Sequence, residues 1–189
     1  CNEELNNILE NTLVRYQFQP IINAHTGEIY AYEALMNPRS PNIKKPSELL
    51  TMARSQSKLY QVEQLTMFKA LKDFTVSPIA LTNCKLFVNS IANQVLNEED
   101  MIAFENMYKD YLERLVVEIT EEEQMDQEIT SRKLGYIHRW NAEVALDDLG
   151  SGYNGEGILV DLTPDYVKLD MTIVRNIHTD NNRLDIVQN

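Results

Sequence analysis

Leu115-Val116-Val117-Glu118-Ile119-Thr120, an amphipathic run over 126 to 139, and then Glu143-Val144-Ala145-Leu146-Asp147-Asp148 form the stretch of this chain that decides its fold. Both short segments are apolar on both faces, as strands are when helices cover one side of a sheet and packed side chains fill the other. The run between them repeats its apolar residues at helical spacing. Strand, helix and strand in that order form a parallel crossover unit, the element from which closed α/β barrels and doubly wound sheets are built.

The same alternation extends in both directions. Upstream lie a strand over 85 to 91 and a helix near 98 to 112; downstream, a helical turn near 156 to 161 and a strand over 166 to 170. The N-terminal third reads as an amphipathic helix over 3 to 14, then strands over 16 to 22 and 28 to 36. The link Asn23-Ala24-His25-Thr26-Gly27 makes those two strands a hairpin. Helices over 47 to 54 and 59 to 74 complete the order. The expectation is an α/β, TIM-like barrel whose first strand is antiparallel to the second, with six strands and a helix after the sixth.

Six polar residues, Glu33, Asn89, Glu118, Asp147, Asp148 and Lys168, fall at or just past the C-terminal ends of these strands. That is where a barrel of this kind assembles one active site from distant parts of a chain. Five of the six offer oxygen atoms and the sixth is a lysine. This set suits hard divalent cations and a phosphate ester better than thiol, haem or zinc chemistry.

Composition narrows the partners. The chain has 189 residues, 43% hydrophobic and 24% charged, with a formal net charge of -12 and a sequence pI of about 4.7. Such an acidic balance argues against polymeric nucleic acid, whose phosphates need a basic surface. A small anion stays possible where bound cations invert the local field. There is no apolar run of the roughly 18 residues that a membrane span needs, and the expectation is a chain without a signal peptide. Cys1 and Cys84 give neither a disulfide framework nor a metal spacing, so the expected compartment is the cytoplasm.

Taken singly, each site residue has a plainer reading. A glutamate at a strand end is commonly solvated, Asp147-Asp148 before Gly150-Ser151-Gly152 could be a polar loop, Asn89 could cap a helix, and Lys168 could guard an edge strand. His25, His138 and His178 share no ligand or relay spacing and read as surface or packing residues. Trp140 with Tyr136 reads as helix packing. What separates one shared site from six coincidences is that all six sit at successive strand ends.

Five blocks together resemble the EAL domain, the bacterial phosphodiesterase that opens cyclic di-GMP to linear pGpG. They are Tyr16-Gln17-Phe18-Gln19-Pro20-Ile21 with Glu33-Ala34-Leu35; Phe87-Val88-Asn89-Ser90; Val117-Glu118-Ile119-Thr120-Glu121; Ala145 to Tyr153; and Tyr166-Val167-Lys168-Leu169-Asp170. The resemblance implies two Mg2+ or Mn2+ ions, with Glu33, Asn89, Glu118 and Asp147 on the first, Asp147 bridging and Asp148 on the second. It implies Lys168, Glu33 and Asp147 as the catalytic set, with Lys168 orienting the attacking water. Glu121 would brace the loop after Asp148, and Gln19, Leu35 and Arg39 would meet the substrate. Partners implied are cyclic di-GMP, a possible second copy of the chain, and upstream sensory or GGDEF-type modules.

The chain departs from the family in two places. Glu-Ala-Leu is usually followed by a residue and then a phosphate-binding arginine, whereas here Met36 precedes Asn37, and the next arginine is Arg39. The family also carries Val-Ala-Glu-Gly-Val-Glu and glutamine blocks on its last two strands, and neither occurs before Asn189. The expectation is therefore an EAL domain over 1–189, incomplete at its C-terminus, with strands seven and eight absent and an open sheet edge. Its function would be cyclic di-GMP hydrolysis; the alternatives are a silent EAL-like module that binds cyclic di-GMP or a protein, and an unrelated barrel hydrolase.

Overall fold

The computed structural model describes residues 2–120, 125–147, 163–169, 172–175 and 184–188. Helix α1 (Asn2–Asn11) leads into the antiparallel hairpin β1 (Val14–Asn23) and β2 (Ile29–Pro38), followed by α2 (Pro46–Ser55) and α3 (Leu59–Thr75). Then come β3 (Lys85–Ser90), α4 (Glu98–Tyr108), β4 (Leu115–Thr120), α5 (Gln127–Arg139), β5 (Glu143–Asp147) and β6 (Tyr166–Leu169). Strands β2 to β6 pair in parallel, each with the next. The α/β barrel and its antiparallel first strand stand as read. The helical turn expected near 156 to 161 lies outside the described residues.

Local chemistry sets these limits. In the turn between β1 and β2, Asn23 Oδ1 accepts from the amides of His25 (2.9 Å) and Thr26 (3.2 Å). Gly27 closes the turn at φ +71, a conformation that costs glycine least. Asn97 and Asp126 cap α4 and α5, accepting from the amides of Asp100 (2.8 Å) and Ile129 (2.9 Å).

The sheet edge differs from expectation. Two further short strands, β7 (Thr172–Arg175) and β8 (Leu184–Gln188), follow β6, each antiparallel to its neighbour. Strand β8 then pairs antiparallel with β1 through Ile21↔Gln188, Ile22↔Val187 and Asn23↔Ile186, and the ring closes. The open edge is thus corrected, and so is a helix directly after the sixth strand. The reason is legible afterwards: Thr172-Ile173-Val174 and Ile186-Val187 are β-branched runs that favour extended backbone. Pairing them leaves fewer unsatisfied backbone groups than an exposed edge would.

Two apolar layers result. Outside, the helices pack on the outward faces of the strands, through residues such as Leu5, Ile8, Tyr16, Leu49, Phe74 and Phe104, and through Ile137 against Val117, Ile119, Val144 and Leu146. His25 and His138 are exposed. Trp140 is buried with its ring centroid 5.5 Å from that of Phe104, as the packing reading anticipated. Inside, one residue from each of seven strands fills the barrel: Ile21, Ala31, Phe87, Val116, Ala145, Tyr166 and Ile173.

Phe87 is the largest apolar member of that plug and is wholly buried, with its ring centroid 5.1 Å from that of Tyr166. Phe87→Ala is expected to cost about 3–5 kcal/mol of stability. Leu81→Ala, at a 90% exposed position, should stay within about 0.5 kcal/mol. Urea unfolding of the two variants checks both values.

Candidate active site

Strand pleating places the functional side chains. Alternate residues face opposite sides, so if Val117, Ile119, Val144 and Leu146 meet the helices, Glu118 and Asp147 must face the interior. On six strands a polar residue stands two positions beyond the plug residue: Gln19, Glu33, Asn89, Glu118, Asp147 and Lys168 beyond Ile21, Ala31, Phe87, Val116, Ala145 and Tyr166. At about 3.3 Å per residue, this polar ring lies roughly 6–7 Å above the plug.

Strand stagger keeps the ring level. Asn89 is opposite Glu118, and Asp147 is opposite Lys168, with no offset. Glu33 instead faces Phe87, and Glu118 faces Ala145, each offset by two residues from the next polar position. Alternating steps of zero and two compensate the strand tilt that a closed barrel requires. Side chains far apart in sequence therefore reach one mouth.

At the centre of that mouth Glu33 and Glu118 are each 1% exposed. Lys168 Nζ lies between them, donating to Glu33 Oε1 and Glu118 Oε1 at 3.2 Å each. Burial, and then the neighbouring charge of Glu33, push the Glu118 carboxyl up to about 8, against the opposing pull of Lys168. Burial pulls Lys168 down, but the combined field of Glu118, Glu33 and Asp147 outweighs it, and its net shift is upward. Oε2 of each glutamate is buried without a hydrogen-bond partner among the described residues. Below the plug a separate polar floor joins strands β3, β5, β6 and β7: Lys85 pairs with Glu143, Tyr166 Oη donates to Glu143 Oε1 at 3.2 Å, and Arg175 lies 4.0 Å from Glu143.

A cavity of about 360 Å³ opens beside the ring, lined by Leu35, Asn89, Thr120, Arg54 and the apolar faces of α2 and α3. Leu35 and Gln19 thus lie at the mouth or on its wall. Arg39 is exposed just past β2, its amide donating to the Leu13 carbonyl at 2.7 Å. Asp148 and Glu121 lie outside the described residues.

Glu63 and Lys133 form a support that the sequence reading missed. Ser90 donates to Glu63 Oε1 at 2.5 Å, and the Ile91 amide to Glu63 Oε2 at 2.8 Å. Lys133 Nζ donates to Ser90 Oγ at 2.7 Å and to the Ile91 carbonyl at 2.5 Å. Burial raises Glu63 and lowers Lys133, and each partner's charge opposes the other's shift. The pair clamps the chain immediately after Asn89 from α3 and α5. A signal existed: Glu63 sits on the buried stripe of α3 beside Val62 and Thr66, and Lys133 on that of α5 between Thr130 and Ile137.

The profile of the EAL domain family matches residues 2–189. The chain belongs to that family. It is 24% identical over 170 residues to the probable cyclic di-GMP phosphodiesterase PdeG of Escherichia coli (strain K12), covering 86% of this chain and 34% of PdeG. It therefore spans about a third of that relative's length. Among solved structures, the FimX EAL domain of Xanthomonas citri, in complex with c-diGMP, superposes with a TM-score of 0.73 at 18% identity, over 89% of this chain and 68% of that one. Klebsiella pneumoniae BlrP1, solved as a manganese/cy-diGMP complex, gives 0.63 at 19% identity, over 84% and 40%. Among the described residues of this EAL chain, no helix is long and apolar enough to cross a membrane.

The donors suit a hard cation in kind. Two buried glutamates each keep one oxygen without a fixed donor, and Asn89 and Asp147 adjoin them in the ring. Among the described residues, no group of three carboxylate, imidazole or thiolate side chains draws together tightly enough to hold an ion alone. The fit therefore rests on the paired oxygens, and the amide of Asn89 supplements them.

Without metal, the raised Glu118 carboxyl has a definite linkage sign. Its folded pKa of about 8 lies above the ordinary value of 4.5, so its contribution to stability is full below pH 4.5 and is lost as pH rises through 8. In EDTA, Glu118→Gln should leave the melting temperature nearly unchanged at pH 5 and raise it at pH 8.5, by about 2–4 °C per kcal/mol relieved. Calorimetry at both pH values reads the difference.

Proposed function

We propose that this chain is the catalytic domain of a cyclic di-GMP phosphodiesterase, hydrolysing one phosphodiester of the ring to give linear pGpG. The observation that carries the reading is the convergence of Glu33, Glu118 and Lys168, from three separate strands, at the C-terminal mouth of an EAL-family barrel. The name of PdeG and the ligands in the FimX and BlrP1 structures support the substrate class.

In this reading Glu33, Asn89, Glu118 and Asp147 would hold one divalent cation, and Asp147 and Asp148 would hold a second. When bound, Mg2+ or Mn2+ supplies Lewis-acid polarisation of the phosphate and makes a nucleophile of water near neutral pH. The chain's residues do the positioning. Lys168, raised and therefore protonated, donates hydrogen bonds that orient the attacking water and offsets charge growing on the phosphate. Glu33 and Glu118 would each offer the cation the oxygen that has no other partner. Gln19 and Leu35 line the substrate's path, and Glu121 braces the loop beyond Asp148. The water oxygen bonds to phosphorus as the P–O3′ bond breaks; of the two protons the water gives up, one is made good on the departing O3′ and the other passes to solvent.

A silent binding module is the second reading, favoured by neutral Asn37 at the family's arginine position. Release of pGpG from cyclic di-GMP separates the two. Turnover is expected with Mg2+ or Mn2+ and should vanish in excess EDTA. Asp147→Asn should lower it by several orders of magnitude, while Asp148→Asn should cripple turnover and keep part of the ligand binding. Binding without turnover in either metal would establish the module, and undiminished turnover in EDTA would exclude the two-metal mechanism.

A further inference from the structure

We propose that Arg15 provides the guanidinium grip on the substrate's phosphodiester that Asn37 cannot. This inference rests on the cyclic di-GMP reading and names a residue within the same site. Asn37 is neutral and lacks the planar fork with which arginine holds a phosphate.

The hairpin register carries the argument. Strand β2 pairs with β3 only over Ala31 to Ala34, whereas β1 and β2 stay paired out to Val14↔Pro38. The outer half of the hairpin therefore stands above the barrel mouth as a lip. Its pairs read Gln19↔Glu33, Gln17↔Leu35 and Arg15↔Asn37. Directly opposed residues share one face of a sheet, and these lie on the face that carries Glu33. The other face, through Val14, Tyr16 and Phe18, packs against the helices. Arg15 thus shares the mouth side with Asn37, its Cβ about 4.5–5.5 Å from that of the asparagine, well inside the length of an arginine side chain.

Three other cations lie near the mouth, and Arg54, on the wall of the adjoining cavity, is already engaged within the chain. Lys168 is occupied between Glu33 and Glu118. Arg39 lies beyond the last strand pair, farther along the lip than Arg15, with its amide on Leu13. Arg15 is exposed, and among the described residues its guanidinium forms no ion pair. In a chain of net charge -12 whose mouth presents Glu33, Glu118 and Asp147, a further cation at the lip favours an anionic ligand. The relevant arginine is written in the strand before the Glu-Ala-Leu block, and only antiparallel pairing brings it to position 37.

The test is cyclic di-GMP binding by calorimetry, in EDTA and again with Ca2+, on the 189-residue chain and three variants: Arg15→Gln, Arg39→Gln, and Arg15→Gln combined with Asn37→Arg. Arg15→Gln is expected to weaken binding about ten-fold or more, the scale of a lost charge-assisted hydrogen bond. Arg39→Gln should weaken it less than Arg15→Gln does, and the double variant should regain most of the loss; a larger loss in Arg39→Gln than in Arg15→Gln overturns the proposal. Melting temperatures matched to the parent confirm that the fold is intact. Parental affinity in Arg15→Gln overturns the proposal, and so does a loss that Asn37→Arg fails to restore, since that marks a structural effect. A parent chain that binds no cyclic di-GMP in either condition overturns the substrate reading itself, and the proposal with it.

Discussion

Two glutamates buried side by side are the constraint on which the rest of this structure depends. Glu33 and Glu118 are almost wholly removed from water, and like charges so placed cannot both ionise without a counter-charge. Lys168 answers that need only because β6 delivers it between them, and β6 is anchored by Tyr166 in the plug below. The apolar plug, the tilt of the strands and the closure of the ring are thus conditions for one ammonium to reach two carboxylates. Removing the ammonium from such an arrangement leaves two buried carboxyls with no counter-charge, whereas removing one glutamate leaves a compensated pair.

The clamp behind Asn89 shows the same logic one step farther out. An exposed strand end would let the Asn89 amide wander, but Glu63 and Lys133 fix Ser90 and Ile91 through their backbone and hydroxyl groups. Their mutual charge compensates the burial that shifts each of them. The ring is therefore held from outside the barrel as well as from inside it.

Much of this was legible in the sequence because pleating and helical periodicity are local. Val116-Val117-Glu118 and Ala145-Leu146-Asp147 announce both their strands and the inward side of their acids. What stayed hidden depends on distant pairing. Strands β7 and β8 are short, and only contact with β6 and β1 makes them strands. Glu63 and Lys133 act together only where two helices meet one loop. Arg15 meets Asn37 only across a register that no local pattern states.

The two-residue spacing between plug and ring also limits how such a chain can vary in length. Adding or deleting one residue between Phe87 and Asn89, or between Val116 and Glu118, reverses the facing of everything beyond it: an acid or amide would turn toward the helices and an apolar side chain into the mouth. Tolerated insertions and deletions are thereby confined to the connections outside the strands, such as the turn from Asn23 to Gly27. Divergence among chains of this architecture must then accumulate as substitutions within strands and as changes of length between them.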